Sequence, residues 1–306
     1  MLTYIMLAGG LIGLFLGGDW LVRGASQIAL RFAVPPLVVG LTVVGFGTST
    51  PELLVSLQAA FNGAAGIAIG NVIGSNIANI LLILGVAALI APPFARFQTM
   101  KRDLLWMLGA ALAIPVIIAS GYVGRLEGAT LLLGLIVYLG LSLRALRTAP
   151  QEATPTDIKL APAFGFTLAG LAAVMIGAHY LVESATLIAR QLGVSEAMIG
   201  LSIVAIGTSL PELATTVAAA IKGQREIALG NVIGSNIFNI LAILGITGLV
   251  VPIPVDARFL HFDAPVMIGA TLLTVGLIYA RGTVSRVVGA GMLAGYVGYI
   301  AIGASL

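Results

Sequence analysis

Apolar runs of about twenty residues alternate along this chain with short stretches rich in proline, glycine and charge. Runs of that length cross a bilayer as α-helices, whereas the strands of an outer-membrane barrel alternate over about ten residues. The pattern therefore predicts an all-α polytopic membrane protein. Its ten predicted transmembrane helices lie at about residues 2–31, 36–61, 66–91, 103–120, 126–146, 160–190, 196–221, 226–250, 262–280 and 284–305.

The composition supports a membrane protein. The 306 residues are 59% hydrophobic and only 9% charged, with a mean hydropathy of +1.11, whereas about a quarter of an ordinary soluble domain is charged. The absence of cysteine excludes disulfides and thiolate metal sites. The first apolar run has no basic leader and carries Asp19 and Arg23, so we expect a first span rather than a cleaved signal peptide.

The second half of the chain repeats the first. Residues 40–92 align with residues 200–252 without a gap, and 30 of the 53 positions are identical. Five spans end on the opposite side of the bilayer from their start, so the second unit runs inverted, as in many secondary transporters with a midplane site. We expect a first five-helix repeat at 1–146, a cytoplasmic linker at 147–159 and a second, inverted repeat at 160–306.

The placement of basic residues predicts the orientation. Eleven lysine and arginine residues fall on one side of the predicted spans and three on the other, and basic loops favour the cytoplasmic side. We expect a multi-pass protein of the plasma (inner) membrane, with both termini outside and the central linker in the cytoplasm.

One carboxylate stands inside an uncharged apolar run in each repeat, Glu52 and Glu212. A charge at mid-bilayer costs at least about 2.5 kcal/mol, and such residues usually mark an ion or proton path. The alternative interpretation is a protonated or internally paired structural glutamate. The proline before each acid, Pro51 or Pro211, removes a helical N–H. We expect it to release the carbonyls of Gly47 and Gly207, with a plain kink as the alternative.

Other oxygen-bearing residues share helix faces with these acids, because positions four apart lie on one face. Thr48 precedes Glu52 by four positions, and Asn71, Ser75 and Asn79 follow the same spacing on the next span. The second repeat has the same pattern. Oxygen ligands without sulfur or imidazole suit hard cations such as calcium. Two carboxylates balance one divalent ion, and the same groups could hold sodium ions or protons; magnesium fits less well because it demands octahedral geometry.

Two motifs occur in both repeats, G-T-S-x-P-E at 47–52 and 207–212 and G-N-x-x-G-S-N-x-x-N at 70–79 and 230–239. They resemble the paired repeats of the cation/calcium exchanger superfamily, most closely its prokaryotic sodium/calcium exchangers. The resemblance implies ten helices in two inverted repeats, a site formed by helices 2, 3, 7 and 8, and sliding of helices 1 and 6. The metal ligands that it implies are the carbonyls of Gly45 and Ala205 and the side chains of Glu52, Glu212, Thr48, Ser49, Thr208, Ser209, Ser75, Asn79, Ser235 and Asn239.

This resemblance favours a sodium/calcium antiporter. Asn239 stands where the potassium-dependent branch has aspartate, so potassium co-transport is not expected. The linker of about 13 residues is too short for the regulatory loop of animal exchangers. A proton/calcium antiporter of the same fold and a cation channel are the alternatives. We expect no cofactor and no enzyme activity, since no nucleophile and base pair accompanies the acids. The expected partners are the lipid bilayer and inorganic cations, without nucleic acid or a protein partner.

The remaining charged residues of the spans receive structural interpretations. Asp19 with Arg23, and His179 with Glu183, are each four apart. We expect both pairs near the outer ends of tilted helices, paired at the interface, with a gating role as the alternative. Two further aspartates, at the predicted starts of spans 4 and 9, are interpreted as helix caps, Asp103 and Asp263.

Overall fold

The computed structural model describes residues 2–32, 34–148, 159–192 and 205–303. The helices of the first half are α1 Leu2–Phe32, α2 Pro36–Phe61, α3 Ala65–Ile90, α4 Phe97–Ile118 and α5 Arg125–Thr148. Those of the second half are α6 Leu160–Gln191, α7 in two pieces Ala205–Gly207 and Leu210–Ile221, α8 Arg225–Val250, α9 Phe259–Arg281 and α10 Arg286–Gly303. Two short strands, β1 Tyr122–Val123 and β2 Ile253–Pro254, pair antiparallel.

These helices fall where the apolar runs predicted them, with ends that differ by a few residues. Within the described residues, eight helices are long and apolar enough to cross a membrane. Helix α4 has 22 residues but carries three consecutive charged residues, at positions 101–103, in its second turn. The described part of α7 begins at Ala205. The first part of the predicted span 196–221 and most of the predicted linker 147–159 lie outside the described residues.

Two backbone bridges connect the halves in repeat-related positions. Strand β1, between α4 and α5, pairs with β2 between α8 and α9, while Phe94 before α4 pairs with Thr283 after α9. Paired loops must share one side of the membrane, and the two bridges are separated by the single spans α4 and α9. The α3–α4 loop and its repeat equivalent, the α8–α9 loop, therefore lie on opposite sides, which is the inversion expected from five-span units.

Helices α1 and α6 form a closely packed antiparallel pair. An ideal Cβ on Gly17 would lie 2.6 Å from the backbone nitrogen of Val174, and one on Gly177 would lie 2.7 Å from that of Leu14. Only glycine permits two helix backbones to approach so closely. Helices α3 and α8 are the more central ones. In their apolar 18-residue segments 72% and 89% of the residues are buried, against 33% and 28% in those of α1 and α6.

The cap interpretation of Asp103 and Asp263 is wrong. Helix α4 begins at Phe97 and helix α9 at Phe259, so both aspartates lie inside helices, where they are buried and make no side-chain cap hydrogen bond. Asp103 pairs with the adjacent Arg102 at 2.9 Å. Asp263 pairs with Arg258 at 3.3 Å and accepts a 2.7 Å hydrogen bond from the Tyr299 hydroxyl. The boundaries were misplaced because polar and charged residues close to the start of each helix interrupt the apolar pattern without ending the helix.

The charged residues of α1 and α6 behave differently from each other. His179 and Glu183 do pair, at 3.7 Å. Asp19 instead pairs with Lys222, at the end of α7, through a 2.6 Å contact between Lys222 Nζ and Asp19 Oδ1. Arg23 lies over the ring of Phe166. The positive-inside prediction puts Lys222 on the cytoplasmic side, so this prediction and the predicted location of Asp19 near an outer helix end cannot both hold.

Candidate functional site

Both helices that carry the buried glutamates are interrupted just before them. Ser49 in α2 has φ −83° and ψ 4°, and Ser209 in α7 has φ −88° and ψ 6°, away from the α-helical ψ of about −42°. The helices resume as Thr50–Phe61 and Leu210–Ile221, and the second residue of each piece is a proline, Pro51 and Pro211. Proline is tolerated in a first helical turn but not in an interior. Each glutamate therefore lies in the first turn of a new helical piece.

Each of the two glutamates accepts a hydrogen bond from a serine of the opposite repeat. Ser49 Oγ donates to Glu212 Oε1 at 2.9 Å, and Ser209 Oγ donates to Glu52 Oε1 at 3.5 Å. Both carboxyl groups are buried, each residue being 1% exposed. Because each acid relies on a donor from the other repeat, neither repeat forms this site alone.

Several buried polar atoms at the site have no hydrogen-bond partner among the residues that the structure describes. They are the second carboxyl oxygens, Oε2, of Glu52 and Glu212 and both side-chain polar atoms of Asn79 and Asn239. Each unpaired buried polar group costs about 1–3 kcal/mol. None of the ion pairs in the described part of the chain involves either glutamate. The site thus presents uncompensated oxygens of the kind that bind hard cations.

Both asparagines with unpaired side chains begin a π-helical segment. These segments are Asn79–Leu84 in α3 and Asn239–Leu244 in α8. Short π-helical segments within α-helices are frequent at functional sites. Since hydropathy does not distinguish π from α turns, the sequence pattern did not indicate them.

A second set of hydrogen bonds connects the threonines of one repeat with the asparagines of the other. Thr48 Oγ1 lies 3.1 Å from Asn231 Oδ1, and Thr208 Oγ1 lies 3.3 Å from Asn71 Oδ1. The contacts are equivalent under the repeat. Hydrogen bonds between the two repeats therefore involve the threonines as well as the serines.

The other residues predicted for the site have varied environments. The Gly45 carbonyl accepts bonds from the Ser49 amide at 3.2 Å and from Ser235 Oγ at 3.3 Å. Ser75 is buried, and Ala205 is the first described residue of α7. The glycines before the threonines contact α6, since an ideal Cβ on Gly47 would lie 3.3 Å from Leu171 Cδ1 and Gly207 faces Val182.

Four residues of this network were absent from the predicted ligand set, namely Asn71, Asn231, Ser56 and Thr216. The amide nitrogen of Asn71 donates to the Glu52 carbonyl at 2.9 Å and to Ser56 Oγ at 2.8 Å. Repetition was the available signal, because a hydroxyl residue follows each glutamate by four positions and an asparagine recurs in each motif. In the described residues no group of three or more His, Cys, Asp or Glu side chains could hold a metal. The charge of this site therefore comes from its two glutamates.

The backbone matches the solved structure of the sodium-calcium exchanger NCX_Mj soaked with 2.5 mM Na+ and 0.1 mM Ca2+. The match has a TM-score of 0.86 and 35% sequence identity, and it covers 98% of each chain. With the helices and the inverted loops described above, it defines the class as a polytopic membrane exchanger. The predicted all-α fold of ten transmembrane helices in two inverted five-helix repeats is confirmed.

The chain belongs to the family described as sodium/calcium exchanger protein, which it matches over residues 2–144 and 162–303. It is 38% identical to the putative antiporter CaxA of Alkalimonas amylolytica over 98% of each chain. It is also 36% identical to the sodium/calcium exchanger MaX1 of Methanosarcina acetivorans, again over 98% of each. The predicted membership of the cation/calcium exchanger superfamily is confirmed, and these relatives are transporters rather than enzymes.

Proposed function

We propose that this protein exchanges sodium for calcium across the membrane by alternating access to one site between its two repeats. The observation that carries the proposal is the pair of buried glutamates, each bound by a serine of the other repeat and each with one unpaired oxygen. Buried carboxylates without a basic partner are costly unless a cation compensates them.

The chemistry of the site suits this exchange. Two carboxylates balance one calcium ion, and the surrounding hydroxyl, amide and carbonyl oxygens supply the six to eight ligands of about 2.3–2.6 Å that calcium prefers. The same oxygens can hold sodium ions when calcium has left. The names of the exchangers MaX1 and NCX_Mj favour sodium over protons as the counter-ion.

We assign the ligand roles to the twelve residues named from the motifs. One contact bears on how they would act: the Gly45 carbonyl already accepts the Ser235 hydroxyl. Turning that hydroxyl away would remove one of the donors to the carbonyl, which still accepts from the Ser49 amide, and would point the serine oxygen toward a cation. Asn79 and Asn239 need no such change, since their side chains have no hydrogen-bond partner in the described part of the chain.

The membrane arrangement is part of the proposal. Residues 1–146 and 160–306 would form the repeats, with 147–159 as a cytoplasmic linker and the glutamates near the midplane of the inner membrane. Basic residues support this orientation by eleven to three.

The test is calcium uptake into proteoliposomes loaded with sodium. Uptake should require the outward sodium gradient, and Glu52→Gln or Glu212→Gln should reduce it at least about a hundredfold, because each removes one of the two charges that balance calcium. Glu226→Gln is the control, since Glu226 is exposed in the first turn of α8. It should transport like the wild type.

Other outcomes would reassign the function. Calcium flux driven by a pH gradient without sodium would identify a proton/calcium antiporter. Single-channel current without counterflow would identify a channel. Full sodium-driven transport by both glutamine variants would remove the glutamates from the proposed site.

A further inference from the structure

Asn231 lies on α8 among three elements of the site. Its amide nitrogen donates to the Glu212 carbonyl at 3.2 Å and to Thr216 Oγ1 at 2.9 Å, both in its own repeat. Its amide oxygen accepts from Thr48, in the other repeat, at 3.1 Å. Asn231 is fully buried, and this side chain uses both its nitrogen and its oxygen.

Asn71 on α3 repeats these bonds. Its nitrogen donates to the Glu52 carbonyl and to Ser56, and its oxygen accepts from Thr208. The same three kinds of partner thus recur in both repeats: a glutamate carbonyl, a hydroxyl one turn further along, and a threonine of the opposite repeat. The agreement follows from the repeat, in which Asn71 and Asn231, and the residues that they contact, occupy equivalent positions.

The orientation of each amide follows from its partners. A backbone carbonyl only accepts hydrogen bonds, so the nitrogen of the amide must face the glutamate carbonyl. The oxygen of the amide then faces the threonine. The asparagine can therefore accept a hydrogen bond from the threonine hydroxyl but cannot donate one to it.

This direction matters for a hydroxyl that binds a cation. A threonine hydroxyl has one hydrogen and two lone pairs, and it offers those lone pairs to a cation only when its hydrogen points elsewhere. Thr48 Oγ1 has two acceptors on its own helix, the Val44 carbonyl at 3.0 Å and the Gly45 carbonyl at 3.4 Å, besides Asn231 Oδ1 at 3.1 Å. The asparagine offers that hydrogen an acceptor that belongs to the opposite repeat.

We propose that Asn71 and Asn231 are positioning residues that orient the hydroxyls of Thr208 and Thr48 toward a cation without binding it themselves. The inference rests on the proposed exchange function and deepens it. Partners that fix ligand orientation commonly change metal affinity by 10–100-fold when they are removed. The two asparagines also make each repeat's ligand geometry depend on the other repeat.

Another buried asparagine on α8 provides a matched control. Within the described residues, Asn236 donates to the Val232 carbonyl of its own helix, at 2.7 Å, and to no residue of the other repeat. Asn231→Ala and Asn236→Ala remove the same group from the same helix. Only the first removes a contact between repeats.

The experiment measures equilibrium calcium binding by the purified, detergent-solubilised protein. Asn231→Ala should weaken calcium binding about tenfold, and Asn236→Ala should stay within about twofold of the wild type. Thr48→Val should also weaken it, and the double variant Thr48→Val with Asn231→Ala should be no weaker than Thr48→Val alone. In a Thr48→Ser background, which keeps the hydroxyl, Asn231→Ala should still cost about tenfold.

Multiplied effects in the double variant would overturn the inference, because the asparagine would then act independently of the threonine. Wild-type affinity of Asn231→Ala would overturn it as well. If Asn231→Ala does not fold, the half-buried Asn71→Ala with Thr208→Val provides the same cycle in the other repeat. Failure of the wild-type protein to bind or exchange calcium would instead defeat the proposed function, so the two failures are distinguishable.

Discussion

At the scale of single residues, the serines that follow the threonines differ between the repeats. The bond from Ser49 to Glu212 is 2.9 Å long, whereas that from Ser209 to Glu52 is 3.5 Å, at the limit of a hydrogen bond. Net hydrogen bonds to charged groups contribute about 1.5–3 kcal/mol when well formed. The repeats are therefore alike in sequence but unequal in this structure.

We expect Ser49→Ala to weaken calcium binding about tenfold and Ser209→Ala only about two- to threefold, because 1.4 kcal/mol corresponds to a factor of ten. The measurement is a calcium-binding titration of both variants. Ser142→Ala is the control, since Ser142 is buried and, among the described residues, donates to the Tyr138 carbonyl of its own helix and to no residue of the site. An equal or larger loss with Ser209→Ala would contradict the prediction.

Sequence reasoning found the candidate residues but not their partners. Repetition and four-residue spacing selected Glu52, Thr48 and Asn79, because those signals are local. The bond between Ser49 and Glu212 joins residues 163 positions apart. Which serine faces which acid depends on how the inverted repeats pack, and no local pattern encodes that packing.

At the scale of helices, hydropathy predicted the spans well but not their irregularities. The π-helical segment Asn79–Leu84 is as apolar as an α-helix, and the charged residues at positions 101–103 of α4 hid the helical turn that precedes them. Close helix approach is also invisible to hydropathy. It depends on which glycines face another backbone.

Gly230 is such a glycine, at the contact between α8 and the first half of α2. An ideal Cβ there would lie 2.6 Å from the Leu37 carbonyl oxygen and 2.9 Å from the Leu41 nitrogen. Gly230→Ala should push the helices apart and destabilise the protein by about 1–3 kcal/mol, as overpacking does. Thermal unfolding in detergent would detect this as a lower Tm.

The control for Gly230→Ala is Gly269→Ala in α9. Gly269 is exposed, and no atom lies within 4 Å of its ideal Cβ. Alanine is favoured over glycine in a helix interior by about 0.5–1 kcal/mol, so this variant should unfold at the same or a slightly higher temperature. An unchanged Tm for Gly230→Ala would show that the two helices tolerate separation.

At the scale of the whole molecule, the α1/α6 pair contacts the other helices beside the site. Leu171 and Val182 of α6 face Gly47 and Gly207, next to the threonines of the motifs. On α1, Asp19 binds Lys222 at the end of α7, through its carboxylate at 2.6 Å and its carbonyl at 3.0 Å. We propose that alternating access moves this pair of helices relative to the site, as the resemblance to the exchanger family implies.

The Asp19–Lys222 contact can be used to test that movement, because the contact itself contributes little to stability. Both side chains are partly exposed, at 41% and 31%, and exposed ion pairs contribute about 0–1 kcal/mol. The contact nevertheless joins the two parts that must shift. A covalent bond at this place should hold them in the conformation described here.

We expect Asp19→Cys with Lys222→Cys, joined by a short bifunctional methanethiosulfonate, to lose sodium-driven calcium uptake. Reduction of the cross-link should restore it. The chain contains no cysteine, so the reagent has no other target. Transport before cross-linking should remain near the wild-type level, because the lost ion pair contributes little.

The matched control joins two parts that need not move apart. Tyr122 and Pro254 are direct partners in the β1–β2 pairing, which connects loops of the two repeats outside the α1/α6 pair. Tyr122→Cys with Pro254→Cys, treated with the same reagent, should keep its transport. If both cross-links stop transport, the loops joined by β1 and β2 must also move during the cycle. If the Asp19–Lys222 cross-link leaves transport intact, transport does not need α1 to slide past α7. Access to the glutamates must then change through other helices.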